Sequence, residues 1–256
     1  MTPPLIAYSS LQDFREWFAA AVPVVTYHKL GPRPGRVRIK GLYVGNGLFR
    51  RQLEEWTEAG FRSGSVDDTG RTNGNPGKKV VLTFDDGFEN VLLHGLEPMR
   101  AHGFTAIQFL VADLIGKFNE WEQREGETRE PLMDAGQIRE WLAAGNEIGA
   151  HSCTHPHLTQ VPIVQAREEI LASRRKLEDV FGIPIRHFCY PYGDWNPAVR
   201  DLVAEAGYET AVTTEAGTNP AGSDRLALKR YTVRYASRNW GNFGRVLRHW
   251  LGRVRG

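Results

Sequence analysis

Cysteine, long apolar runs and an excess of either charge are scarce in this 256-residue sequence. Its two cysteines, Cys153 and Cys189, make no disulfide framework, and they are compatible with a reducing, cytoplasmic setting. No stretch approaches the roughly 18 apolar residues that a membrane-spanning helix needs. The opening "MTPPLIAYSSLQDFREWF" has neither a basic leader nor a continuous apolar run, so no secretory signal is read there. The expectation is a cytoplasmic chain, or one from which an export signal has been removed. A net charge of +2 provides no global field for nucleic acid, and no zinc-finger, homeodomain or RNA-binding signature occurs. Repeats at solenoid or propeller periods are also missing.

What is present is a composition of 41% hydrophobic and 24% charged residues, ample for a sizeable core. Apolar, β-branched runs bounded by turn residues predict strands at 23–26, 80–84, 105–111, 147–150, 185–189, 210–213 and 227–233. Amphipathic segments lie between them: Phe49, Leu53 and Trp56 share a helical face, as do Ile138, Trp141 and Leu142, and more loosely Ile170, Leu177 and Phe181. This alternation predicts a single α/β domain over 1–256 with a parallel sheet. Such strands can close as a distorted barrel or stay open and doubly wound, and periodicity does not choose. Three stretches interrupt the pattern. Residues 29–41 carry five basic residues and no acid among Gly and Pro, and read as a surface loop or short hairpin. Residues 64–79 are turn-rich and read as exposed. Residues 119–130 are a polar, acidic excursion before a helix that Asp134 can cap.

Chemistry concentrates where strands end. "KVVLTF" is followed by Asp85, Asp86 and Gly87, "NEIGA" by "HSCTH", and "IRHFC" by "YPYG". In a parallel sheet all three clusters converge on one rim. An isolated Asp-Asp-Gly is by itself better read as a turn. Adjacent carboxylates at the end of a buried strand are costly, however, unless positive charge meets them. A divalent metal supplies that charge, one Asp ligating while its neighbour stays free as a base. His151 and His155, spaced i, i+4, share a face if that segment is helical. With a carboxylate they make a two-histidine, one-carboxylate set that leaves positions open for water and substrate.

Together "TFDDG", "HSCTHPHL" and "YPYG" resemble the polysaccharide deacetylase family, also called NodB-homology domains or family 4 carbohydrate esterases. Segments in family order, from "PVVTYHKL" to "LVAEAGYETAVTT", extend the resemblance over roughly residues 23 to 233, with a core of about 22–235. The resemblance implies a distorted seven-stranded (β/α) barrel, TIM-barrel-like. By motif position Asp85 matches the family's catalytic base, and Asp86, His151 and His155 its ligands for zinc or another divalent ion such as Co2+, Ni2+ or Mn2+. Tyr192 matches the residue whose backbone N–H helps bind the oxyanion. The implied reaction is metal-assisted hydrolysis of an N-acetyl group on a sugar such as a GlcNAc-type glycan, with acetate leaving.

Two departures stand out. Many members have Arg-Pro-Pro-Tyr where this chain has Cys189-Tyr190-Pro191-Tyr192, so the arginine that orients the catalytic Asp is missing there. Many have a late Leu-x-His whose histidine is the general acid, and here Arg230 takes its position. Arginine is a poor proton donor, but it can hold Asp85 or the intermediate electrostatically, replacing the lost arginine from another strand. His28, at the end of the first predicted strand, is the first candidate for the acid, weighed evenly against a hydrogen-bonded rim histidine. His157 is disfavoured, because Pro156 bends the chain. Tyr190 and Pro191 are carried as substrate-binding candidates, as are Asp194 and Trp195, although Asp194 can equally cap a helix starting near Pro197.

Rival readings keep the metal and change the substrate, as in cyclic amide hydrolysis or O-deacetylation, or keep the fold as a carbohydrate-binding pseudoenzyme without turnover. The intact Asp85, Asp86, His151 and His155 weigh against the last. The expected partner is an N-acetylated carbohydrate; the oligomeric state is left open. The last stretch, 238–256, has five arginines and no acid; Phe243, Val246, Leu247, Trp250, Leu251 and Val254 trace a helical face, with Arg245, Arg248 and Arg253 largely opposite. A terminal helix packed on the barrel is the favoured reading, and peripheral contact with an anionic membrane is the sharper one.

Overall fold

A computed structural model describes residues 7–8, 10–71, 77–123 and 126–234. The expected basic helix at 238–256 lies outside the described residues. In chain order the elements are β1 (Ala7–Tyr8), α1 (Leu11–Ala20), β2 (Val24–Tyr27), β3 (Lys29–Leu30), β4 (Tyr43–Val44), α2 (Asn46–Glu58), β5 (Arg62–Ser63) and β6 (Lys79–Phe84). There follow α3 (Glu89–Ala101), β7 (Ala106–Leu110), α4 (Glu120–Gln123), α5 (Ala135–Ala143), β8 (Glu147–Ala150), α6 (Ile163–Phe181), β9 (His187–Cys189), α7 (Pro197–Glu205), β10 (Thr210–Val212) and β11 (Tyr231–Val233).

The parallel sheet runs β1-β11-β2-β6-β7-β8-β9-β10, with β5 added beside β6. It curls until the segment leading into β11 bridges β10, where Leu228 pairs with Val212 and exchanges backbone hydrogen bonds with Ala211 and Thr213 at 2.8 Å. The distorted (β/α) barrel expected from the family pattern is thus formed, closed by a narrow seam. Side chains alternate across the wall as strand geometry requires. Val24, Val81, Ile107, Phe109, Cys189, Val212 and Leu228 form an inner cluster. Their neighbours Val25, Tyr27, Leu82, Phe84, Phe188, Ala211 and Tyr231 join the outer core beneath the helices. Each large apolar side chain buried this way contributes about 1.5–3 kcal/mol. Gly149 marks how tight the wall is: a Cβ there would lie 2.6 Å from the Phe109 ring and 2.8 Å from the His187 carbonyl.

Two stretches depart from their sequence reading. Within 29–41, Lys29 and Leu30 form β3, parallel to β4, and Lys29 is buried. In 119–130 three of the acids do not face solvent. Glu122, Glu127 and Glu130 are buried, taken up by the Lys29 Nζ, the Arg38 and Ile39 amides, and Tyr43 Oη together with Asn90 Nδ2 respectively. The opening segment, read only for a signal peptide, forms β1 and α1, whose Tyr8, Phe14 and Phe18 pack with Trp56 and Tyr231 outside the barrel. Asp134 caps α5 through a reciprocal box with Gln137.

Candidate active site

The alternation that fills the barrel also loads its rim. Past the inward Val24 and Val81, the same face carries Thr26 and His28 on one strand and Thr83 and Asp85 on the next. Arg230, just before β11, reaches them from the other side. Its guanidinium forks onto Asp85, Nη1 to Oδ1 and Nη2 to Oδ2, both at 2.7 Å. Nη1 also donates to Thr83 Oγ1 at 3.0 Å and Nε to the Thr213 carbonyl at 2.8 Å. The group is fully buried. Nη2 lies 3.3 Å from Cys189 Sγ, so the small thiol, at the position where many family members carry arginine, leaves room for a guanidinium from another strand. Burial alone disfavours the Asp85 carboxylate, but the adjacent Arg230 charge and its hydrogen bonds outweigh it and hold the carboxyl below its ordinary range.

Asp86 turns the other way because its backbone has a φ of 78°. Its Oδ1 lies 3.4 Å from His151 Nε2 and 3.3 Å from His155 Nε2. The i, i+4 spacing puts these two histidines on one face if the segment is helical, and that condition is not met. The 151–157 segment is a loop with Ser152 at φ 63° and His155 at φ 64°, closed by the His155 amide donating to Ser152 Oγ at 2.9 Å. Including Tyr192 at φ 60°, all four non-glycine residues with positive φ among the described residues stand at this site. Backbone strain of this kind costs on the order of 1–3 kcal/mol per residue and persists where surrounding contacts enforce it.

The donors of Asp86, His151 and His155 lie within 4.8 Å of one another, all buried. His151 Nδ1 is 2.7 Å from the Cys189 carbonyl. Burial works against a charged imidazole, but the contacts with Cys189 and Asp86 outweigh it and raise the His151 pKa well above its ordinary value, so a cation at Nε2 has a proton to displace. Burial pushes His155 down to about 4, against the pull of Asp86, so its imidazole is neutral, as ligation requires. Burial works against the Asp86 carboxylate too, but the two histidines facing it hold it well below its ordinary range. Two nitrogens and one oxygen fit a divalent ion of the zinc type. Asp85, His151 and Cys189 are also close enough to form a set, but the guanidinium against Asp85 and Cys189 repels a cation there.

The remaining sequence candidates divide. His28 Nε2 lies 3.8 Å from Asp85 Oδ2, beyond a hydrogen bond, and burial lowers its pKa despite both aspartates. The Tyr192 ring makes a T-shaped contact with His155, centroids 4.5 Å apart, and stacks on His157 at 3.9 Å. Tyr190 and Pro191 are buried, and the Tyr190 hydroxyl donates to the Leu226 carbonyl at 2.8 Å. Tyr190 therefore offers no side chain to a substrate, contrary to the sequence reading. Asp194 does not cap α7; Asn196 does, through the Val199 amide, while Asp194 accepts from Thr159 Oγ1 and its amide. Trp195 remains half-buried on the rim, donating to Glu215 at 3.1 Å. Cys153 faces α6, with Lys176 Nζ 3.7 Å from its sulfur. Trp121 was not among the candidates, yet it stacks on His155; an aromatic in an otherwise polar excursion is the signal that marked it.

A peptidoglycan-N-acetylglucosamine deacetylase of Listeria monocytogenes is 23% identical over 185 residues, 72% of this chain and 34% of its own. A chitooligosaccharide deacetylase of Bradyrhizobium is 27% identical over 133 residues, 51% of this chain and 53% of its own. The chain thus spans between a third and about half of these relatives' length. The structure of Streptococcus pyogenes deacetylase PplD in complex with acetate matches with a TM-score of 0.72 at 20% identity, covering 84% of this chain and 93% of that one. At that identity the likeness speaks for the fold. The family model described as Polysaccharide deacetylase matches residues 72–211. With more than half of its length matched, the chain belongs to the polysaccharide deacetylase family.

Proposed function

We propose that this protein is a metal-dependent hydrolase that removes N-acetyl groups from an N-acetylated glycan. The observation that carries the reading is the opposed environment of two adjacent aspartates: Asp85 is forked by Arg230, while Asp86 faces two histidine nitrogens. Asp86, His151 and His155 are the residues that would hold the ion, zinc in the first instance. When bound, the ion polarises the acetyl carbonyl and acidifies a water molecule. Asp85, kept ionised by Arg230, accepts the proton of the attacking water. His28, whose Nε2 lies 3.8 Å from the same carboxylate, is the residue that would deliver a proton to the departing sugar nitrogen. The Tyr192 amide donates to the oxyanion, its place in the family pattern. The names of the two relatives support a GlcNAc-containing substrate for this chain.

Acetate release from N-acetylglucosamine oligomers and from peptidoglycan, read beside metal content, tests the proposal. Asp85→Asn is expected to abolish release and keep the metal, whereas His155→Ala loses both. Near-normal turnover in either variant overturns the roles assigned. If His28→Ala stays within a few-fold of the parent, below the roughly 100-fold minimum of acid–base catalysis, His28 is not the acid. Bound zinc without release from any acylated sugar would make the protein a carbohydrate-binding module instead.

A further inference from the structure

His151 and His155 approach the same carboxylate but are held differently. His151 has the Cys189 carbonyl against its Nδ1. His155 Nδ1 is buried and meets no hydrogen-bond partner among the described residues. A ligating imidazole ordinarily has such a partner, which fixes its tautomer and the direction of its lone pair. Around His155 there are rings instead. The Trp121 indole stacks on it with centroids 4.5 Å apart and planes at 23°, and the Tyr192 and His151 rings meet it in T-shaped contacts, centroids 4.5 and 4.8 Å away.

Trp121 belongs to α4, one turn within the acidic excursion, and a single turn does not hold its own register. The next residue supplies the hold. Glu122 Oε2 accepts from Lys29 Nζ at 2.7 Å and from Asn119 Nδ2 at 2.6 Å, with Lys29 and Glu122 both buried. A buried ion pair is weak evidence for stability, because apolar residues of equal volume often serve as well. Its best-attested use is to fix register. Here the register that matters is that of the neighbouring indole, whose face blocks rotation of the His155 ring away from Asp86.

We infer that Trp121 is a positioning residue for His155, its stack substituting for the missing hydrogen bond, and that the Lys29–Glu122 pair is the anchor that sets the stack. The inference rests on the metal site proposed above. Cobalt titration of the full chain against a competing chelator, with the visible spectrum of the bound ion recorded, tests it. Trp121→Leu, which keeps apolar bulk and loses the ring, is expected to weaken cobalt binding by about 10–100-fold, the usual scale for losing an outer support of a ligand, and to alter the spectrum. Trp121→Phe restores most of both. Replacing the anchor by Lys29→Met with Glu122→Leu is expected to leave thermal stability near that of the parent yet weaken cobalt binding. Affinity within two-fold of the parent with an unchanged spectrum, in Trp121→Leu or in the anchor variant, overturns the inference. If Trp121→Leu does not fold, the anchor variant decides alone. A parent chain that takes up no cobalt overturns the metal reading first, before any Trp121 variant is made.

Discussion

Arg230 satisfies both oxygens of the Asp85 carboxylate in one plane while supplying a permanent positive charge. Lysine is a point charge and cannot fork, so Arg230→Lys is expected to lower kcat/KM at least about ten-fold. The sign of its pH effect follows from the environment. Arg230 holds Asp85 below its ordinary range; weakening that contact raises the carboxyl pKa, and the acid limb of the rate profile moves to higher pH. Arg230→Met strands a buried carboxylate and is expected to cost about 3–5 kcal/mol in urea denaturation. The stability that Asp85 contributes is present above its unfolded pKa of about 4 and is lost as pH falls through the folded value. Denaturation at stepped pH should show that dependence in the parent and lose it in Arg230→Met. Part of this was readable: Cys189 and Arg230 announce themselves as paired departures from a family pattern. Their contact across the barrel was not, because it depends on which face each strand turns inward.

Strands and helices were legible wherever apolar runs and helical faces repeat, and the structure places an element at each of those stretches, with shorter strands at several. The histidine loop shows the limit of spacing as evidence. An i, i+4 pair meets on a helix, but it also meets here on a loop with two residues at positive φ, a geometry that one sequence does not reveal. Buried charge in the excursion was illegible for a related reason. Glu122 finds its cation at Lys29, distant along the chain, so locally it reads as a solvated acid. Two substitutions gauge the elements. Gly149→Ala drives a methyl into the Phe109 ring and the His187 carbonyl, and a loss of about 1–3 kcal/mol is expected from thermal melts. Asn196→Ala removes the cap of α7 and should cost about 1 kcal/mol.

Over the whole molecule, an ion bound only by the folded barrel stabilises it by mass action. Zinc at a hundred times its dissociation constant should add about 2.7 kcal/mol, seen as a higher melting temperature than in chelator. Asp86→Ala should abolish that difference without abolishing folding. No helix among the described residues is long and apolar enough to cross a membrane. The barrel closes where Leu228 meets Val212, and two residues further on lies the guanidinium that restrains Asp85. The proposed base and every proposed metal ligand precede this seam in the chain. A nascent polypeptide emerging from a ribosome therefore carries a complete ligand set before it carries a restrained base, and hydrolytic competence waits on docking of β11.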